Sequence, residues 1–177
     1  MAEEKQELRP GQEEPVEDFV EEAEDPLEED EHCVTVQVAN DHDKIKGMYR
    51  KFKDPSLSDD AHQRVVWEMV RALCVHLYAE EEVLCPVMAE AVGKRARDHA
   101  MDVDQSLKML LGDIDSMRVG QAGFREKLEQ LMQVFFEHMS EEEHLMPELR
   151  EVVGDARLRE LGGAFKAAKA HVPTRCV

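Results

Sequence analysis

The 177-residue sequence is poor in aromatic side chains, in positive charge and in long apolar runs. Only 5% of its residues are aromatic, which argues against a platform on which nucleobases stack. A net charge of -18 disfavours nucleic acid and anionic membrane surfaces as partners, because both bind clustered positive charge. No run of about 18 apolar residues is present, so no segment is predicted to span a bilayer.

Cysteine patterns and targeting signals are also scarce. The four cysteines form no CxxC pair and no disulfide framework. Cys74 and Cys85 lie on one predicted helix, roughly 16 Å apart along its axis, which is too far for a disulfide. The N-terminus lacks the apolar region of a secretory signal, and the C-terminus matches neither a prenylation box nor a peroxisomal address. We therefore predict a cytoplasmic protein with reduced cysteines.

The negative charge is concentrated at the N-terminus. Residues 1–31 contain fifteen acidic residues and two basic ones, together with three prolines and few large apolar side chains. Such a segment cannot bury enough surface to offset its chain entropy, so we predict a disordered acidic tail. It is either a solvated tail without a partner, a docking segment for a basic protein, or a weak metal reservoir.

Residues 32–177 are predicted to form one all-α domain. Apolar and charged residues alternate at spacings of three and four, which is typical of amphipathic helices. Pro and Gly residues separate five segments, with Ser58 as a plausible N-cap of the second. The predicted helices cover residues 34–53, 58–91, 94–118, 122–153 and 155–170. Because the connections are short, we expect an up-down-up-down four-helix bundle with a short C-terminal fifth helix.

Histidines and glutamates interrupt the apolar faces of these helices. At about 100° per residue, His76 and Glu80 share one face with Met69, Leu73 and Val83. His138 and Glu142 repeat the same i, i+4 arrangement on the fourth helix. One more histidine falls on the apolar face of each remaining helix, His42 on the first and His99 on the third.

These polar groups predict a buried metal centre. A buried carboxylate or imidazole without a partner is costly, and a single histidine in a core is usually satisfied by a hydrogen bond. Six such groups at matched positions need a shared compensation. Two cations could provide it, because carboxylates can bridge them and neutral imidazoles can complete each one. Imidazole and carboxylate ligands without thiolate favour iron or manganese over zinc.

The sequence resembles the hemerythrin-like, HHE cation-binding domains. The resembling segments are NDHDKIKGMYRKF, HLYAEEEVLCP, RDHAMDVDQSL and HMSEEEHLMPEL. The resemblance implies a four-helix bundle that holds two iron ions joined by an oxo, hydroxo or water bridge. It further implies four terminal histidine ligands and two bridging glutamates, which are His42, His76, His99, His138, Glu80 and Glu142.

Two departures from the family pattern affect the predicted site. Oxygen-carrying hemerythrins have a second histidine one turn after the third-helix ligand, and Val103 stands there instead. We expect water, or less readily Asp102, to fill that position. Pro147 follows His138 more closely than Pro86 follows His76, so Glu141 is an alternative bridge, although helix geometry favours Glu142.

Three functions are compatible with these observations. The first is a metal-binding module that binds or senses dioxygen, nitric oxide or iron at an open coordination position. The second is a di-iron enzyme that turns over peroxide or nitric oxide, or that oxidises and delivers iron or repairs iron centres. The third is a metal-free bundle that acts through its acidic tail. The first requires the fewest assumptions, while the missing histidine favours a reactive or sensing site over a pure carrier.

Overall fold

The computed structural model describes residues 30–176, in which five α-helices and no strand are found. The helices are α1 (Val34–Phe52), α2 (Asp59–Ala91), α3 (Lys94–Ser116), α4 (Phe124–Val153) and α5 (Asp155–Ala168). The first four form an antiparallel bundle, and α5 packs mainly against α2 and α1. The predicted fold class and helix order are confirmed. The predicted tail lies outside the described residues except for Asp30 and Glu31.

The helix boundaries follow from local sequence chemistry. Ser58 caps α2, where its Oγ accepts a hydrogen bond from the Ala61 N–H at 3.3 Å. Gly93 and Gly154 lie just before α3 and α5, with φ angles of 102° and 75°. L-residues with side chains rarely adopt such angles, so glycine allows the chain to reverse direction there. The short connections that result keep consecutive helices adjacent.

The core consists of two apolar clusters with a polar layer between them. One cluster is built around Leu73, Leu111 and Phe135, and the other around Val38, Leu84 and Phe165. Buried histidine and carboxylate side chains of α1, α2, α3 and α4 occupy the level between these clusters. The fold therefore places its ionisable core residues at one height of the bundle.

Helix α5 closes one end of the bundle against the segment that precedes α1. Arg159 Nε lies 2.7 Å from Asp30 Oδ2, and the Gln37 side chain donates to the Gly162 carbonyl oxygen at 3.1 Å. Leu158 and Phe165 are fully buried in this contact region. Asp30, predicted to belong to the disordered tail, is thus part of the folded domain.

Gly162→Ala is expected to destabilise the protein. A Cβ at position 162 would collide with the backbone carbonyl of His32, whereas a Cβ at position 163 would meet nothing within 4 Å. We expect a loss of roughly 1–3 kcal/mol for Gly162→Ala, as for other overpacked sites. Gly163→Ala, the matched control on the same helix, should be neutral or stabilising, since it removes a helical glycine. Urea unfolding of both variants measures the difference, and equal effects would contradict the close packing.

The prediction that all four cysteines are reduced is wrong for two of them. Cys74 and Cys176 form a disulfide with their Cα atoms 5.8 Å apart, while Cys33 and Cys85 are free and buried. The helix-spacing argument compared only Cys74 with Cys85. It could not foresee that the chain returns to α2 after α5 and brings Cys176 to Cys74.

None of the helices in residues 30–176 is both long enough and apolar enough to cross a membrane.

Candidate metal centre

Three helices contribute the inner side chains of the polar layer. Helix α1 provides His42, α2 provides His76 and Glu80, and α4 provides His138 and Glu142. All five are buried, His76 completely and Glu142 to within 6% exposure. The i, i+4 spacing on α2 and on α4 places each histidine directly above its glutamate on one helix face.

Glu80 lies between two imidazoles from different helices. Its Oε1 is 3.1 Å from His76 Nε2, and its Oε2 is 3.4 Å from His138 Nε2. Glu142 Oε2 is 3.1 Å from His42 Nε2 and 3.4 Å from His138 Nε2. Each glutamate therefore faces two histidine nitrogens, which is the arrangement that bridging between two cations requires.

An aspartate lies behind each of the two i, i+4 histidines. Asp41 Oδ2 is 3.5 Å from His76 Nδ1, and Asp104 Oδ1 is 3.8 Å from His138 Nδ1. In both rings Nε2 points to the glutamates and Nδ1 points to the aspartate. Carboxylates behind metal-binding imidazoles fix the ring orientation and tautomer. The structure thus contains both potential ligands and the residues that could orient them.

The donor atoms form two overlapping groups. One comprises His42, His76, Glu80 and Glu142, and the other comprises Glu80, Asp104 and His138. Within each group, one donor atom from every residue lies within 4.8 Å of all the others. Glu80 belongs to both groups. Two neighbouring cations could therefore share it.

Unpartnered buried atoms are concentrated in this cluster. Among residues 30–176, eight buried side-chain nitrogen and oxygen atoms lack a hydrogen-bond partner, and six of them belong to the residues of the two groups. The distances between these atoms are short, but their directions do not suit hydrogen bonds. Buried polar atoms in native proteins are nearly always partnered. A bound cation would satisfy the carboxylate oxygens and His138 Nε2 together, so the donor set fits a metal.

Burial and mutual repulsion set the protonation of the metal-free cluster. Burial, with the nearby Glu142 and Asp104 carboxylates, raises the pKa of Glu80 well above its ordinary value. Burial also raises the pKa of Asp104 to about 8, with Glu142 and Glu81 adding to the effect. Burial raises the pKa of Glu142 too, but the contact with His42 and the charges of His138 and His76 outweigh it and lower the pKa to about 2.

The histidines shift in the opposite direction. Burial lowers the pKa of both His76 and His138, despite the carboxylates beside them. Their rings therefore stay neutral near pH 7, which is the state that binds metal. The Cys85 thiol, near Asp104, has its pKa raised to about 12 by burial first and by Asp104 and Glu81 next, so it stays protonated in the metal-free protein.

Cation binding is expected to release protons. Below about pH 8 the metal-free protein keeps Asp104 protonated, and a cation that binds this carboxylate displaces the proton. Affinity should consequently fall as the pH drops from about 8 towards 6, with Asp104→Asn losing part of this dependence. Calorimetric titration in buffers of different ionisation enthalpy measures the protons released. A binding enthalpy that is independent of the buffer would contradict the prediction.

The prediction that His99 faces the bundle interior is wrong. Its side chain is 62% exposed, and its Nε2 lies 3.0 Å from Oε2 of Glu141, which is also exposed. Asp102, the alternative ligand, is exposed as well. The structure brings Glu142 rather than Glu141 to the cluster. His99 nevertheless lines a cavity of about 590 Å³ that His138 and Glu142 border and that Met88, Ala96 and Leu145 make largely apolar.

Sequence reasoning missed Asp104, which is only 1% exposed. A signal for it was present. Asp104 precedes Leu107, Leu111 and Ile114 by three, seven and ten residues, so all four lie on one helix face. Centring the face of α3 on these fully buried residues, rather than on His99, would have identified Asp104 as the inward carboxylate.

Comparisons with known proteins agree with this geometry. A family profile described as "Hemerythrin HHE cation binding domain" matches residues 33–149. An uncharacterized hemerythrin-like protein of Schizosaccharomyces pombe is 28% identical over 144 residues, which cover 77% of this chain and 69% of that protein. A crystal structure of an HHE cation-binding domain-containing protein from Mycobacterium kansasii superposes with a TM-score of 0.68 at 21% identity. It covers 78% of this chain and 85% of that one, and shows a shared fold.

A DNA nickase of a Nostoc species is 25% identical over 136 residues, or 76% of this chain. The match spans only 38% of the nickase, so the nicking activity is that of a much longer protein. The family profile covers about two thirds of the present sequence and includes the helices that carry the buried histidines and glutamates. The chain therefore belongs to the hemerythrin HHE cation-binding domain family.

Proposed function

We propose that this protein binds two iron ions in the polar layer of its bundle and uses them to bind or sense dioxygen, nitric oxide or iron. The observation that carries the proposal is the concentration of unpartnered buried carboxylate oxygens and ring nitrogens in two donor groups that share Glu80. A polar layer of this kind between two apolar clusters is costly unless cations complete it.

The two donor groups suggest how the ions would be held. His42 and His76 would serve one ion, His138 would serve the other, and Glu80 and Glu142 would lie between them. Asp104 either joins the second ion or orients His138 from behind. His99 is proposed as the remaining ligand, and in the structure it lies outside the cluster, beside Glu141 at the cavity that His138 and Glu142 border.

Iron in this site would supply a Lewis acid that changes its oxidation state and exchanges small ligands. The protein's contribution is to shape and dry the surroundings. The Phe135 ring packs 5.7 Å from the His42 ring and 6.3 Å from the His138 ring, centroid to centroid. Such apolar neighbours restrict water, and the aspartates behind His76 and His138 hold those rings in place.

The cavity beside His138 and Glu142 favours a second candidate function, turnover of peroxide or nitric oxide or oxidation of ferrous iron. Its volume greatly exceeds that of a diatomic ligand, and the exposed His99–Glu141 pair lies at its edge. Reagents could therefore reach the His138 side of the cluster from solvent. A carrier that binds dioxygen reversibly would instead need a closed pocket.

Metal content and optical spectra under controlled oxygen test the proposal. We expect about two irons per chain, with near-ultraviolet bands that bleach on anaerobic reduction. Adding dioxygen to the reduced protein then separates the candidates. A new visible band that disappears when dioxygen is removed indicates reversible binding, and immediate return of the oxidised spectrum indicates turnover or sensing. Protein that stays free of iron after refolding with the metal would contradict both.

A further inference from the structure

The chain continues past α5 and returns to the bundle. In this C-terminal segment, residues 169–176, four side chains pair with side chains of α1, α2 and α3. Lys169 pairs with Asp41 of α1, His171 with Glu82 of α2, Arg175 with Asp115 of α3, and Cys176 with Cys74 of α2. The segment lies beyond the residues that the family profile matches.

The first of these contacts reaches the metal centre through one intermediate side chain. Lys169 Nζ lies 2.6 Å from both carboxylate oxygens of Asp41, and Asp41 Oδ2 lies 3.5 Å from His76 Nδ1. Only 27% of the lysine side chain and 18% of the aspartate side chain are exposed. Lys169 thus holds the carboxylate that backs a candidate ligand, which is the role of an outer-sphere positioning residue.

The C-terminal segment is attached covalently to α2 by the Cys74–Cys176 disulfide at its C-terminal end. In the His171–Glu82 and Arg175–Asp115 pairs the basic side chain is 61% and 71% exposed, and pairs open to water in this way contribute little stability. Cys176, by contrast, is buried, and its carbonyl oxygen lies so close to Gly112 that a Cβ there would be 3.3 Å away. Backbone hydrogen bonds tie Lys169 and Val172 to the last turn of α5, whereas the disulfide is the one covalent tie between the described C-terminal residues and α2.

We propose that the redox state of the Cys74–Cys176 pair controls how firmly the metal is retained. In this proposal Lys169 holds Asp41 against His76. The disulfide fixes the C-terminal segment and, through it, Lys169. This inference rests on the proposed metal site and adds its regulation. Cys74 is two residues before His76 on α2, so the disulfide joins the segment to the helix that carries this candidate ligand.

The chemistry needs one external oxidant, a hydroperoxide. The two thiols lose two protons and two electrons and form the S–S bond. The hydroperoxide O–O bond breaks, and its oxygens leave as one alcohol and one water. A dithiol reductant reverses the step by thiolate attack on the disulfide and is itself converted into a cyclic disulfide.

The test compares ferrous iron release from the disulfide and dithiol forms of the full chain. Both forms are loaded with Fe²⁺ without oxygen, freed of reductant, verified by peptide mapping, and mixed with a ferrous chelator. We expect release from the dithiol form to be roughly ten-fold faster, at the lower end of what outer-sphere partners contribute. Cys176→Ser should release quickly under both treatments. Cys33→Ser, a matched control at a free buried cysteine, should respond like the wild type.

The Lys169→Met variant shows whether the disulfide acts through the Lys169–Asp41 contact or by loosening the whole C-terminal segment. It should release iron quickly even when the disulfide is intact, and reduction should then add little. A wild-type redox response in Lys169→Met would overturn the role of Lys169. Trypsin cleavage after Arg175 provides a readout on metal-free protein, in which reduction should expose the site.

Two outcomes would overturn the whole inference. One is equal iron release from verified disulfide and dithiol forms, and the other is failure of Cys74 and Cys176 to form a disulfide with a hydroperoxide. These outcomes leave the metal site intact. Failure of either form to load iron at all would instead overturn the proposed function and this inference together.

Discussion

Glu80→Gln is expected to lose most of the iron bound by the protein. Glu80 is the one residue that belongs to both donor groups, and its two oxygens face His76 and His138 separately. An amide cannot replace a charged bridging carboxylate, so both metal positions should weaken together. Asp104→Asn, which changes only one group, should lose less. Iron per chain after anaerobic loading and gel filtration measures the effect.

Glu68→Gln is the matched control, because Glu68 is exposed on the same helix. It should retain the iron of the wild type. Folding must also be separated from binding. Metal-free Glu80→Gln should unfold no more easily than metal-free wild type, because the substitution removes a buried group whose ionisation is opposed by burial and by Glu142 and Asp104. Equal iron in Glu80→Gln and Glu68→Gln would contradict the assignment of the centre.

Removing the metal is expected to lower the thermal midpoint substantially. Free iron at one hundred times its dissociation constant stabilises the folded state by about 2.7 kcal/mol. For a domain of this size, that corresponds to a shift of roughly 5–10 °C. The loss has a structural cause, since chelation leaves buried carboxylate oxygens and ring nitrogens without partners in the core. Scanning calorimetry with and without a chelator measures it.

Glu80→Gln again gives the control for chelation. Its midpoint should hardly respond to the chelator, because it holds little metal to remove. A wild-type midpoint that is unchanged by chelation would mean that the buried cluster does not depend on a cation.

Most of the fold was predictable because the helical periodicity is strong and the breakers are clear. All ten helix ends fall within two residues of the expected positions, and Ser58 caps α2 as expected. The inward facing of His42 and of the i, i+4 pairs on α2 and α4 was also predictable. Val38 and Ile45 flank His42, and each His–Glu pair has a large apolar residue one turn before its histidine and one turn after its glutamate, which fixes the phase of the helix.

The N-terminal part of helix α3 has few large apolar residues that would fix which of its faces points inward. Its first two turns are mostly polar, so the facing of His99 was extrapolated from distant residues. Relative to Leu111, His99 lies about 120° away and Asp104 about 20° away, and the buried face follows Leu111. The Cys74–Cys176 pairing was invisible for a different reason. It depends on where the chain travels after α5, which no periodicity encodes.

The aspartates behind His76 and His138 give the bundle an internal duplication. Helices α1 and α2 provide Asp41 and the His76/Glu80 pair, and α3 and α4 provide Asp104 and the His138/Glu142 pair, at almost equal separations along the chain. The halves differ at the residue after each aspartate, which is His42 in one and Gln105 in the other. Because of this difference, the two halves of the quasi-twofold arrangement should bind iron with unequal affinity. A titration with iron should then show two successive binding steps, and the half that contains His42 should fill first.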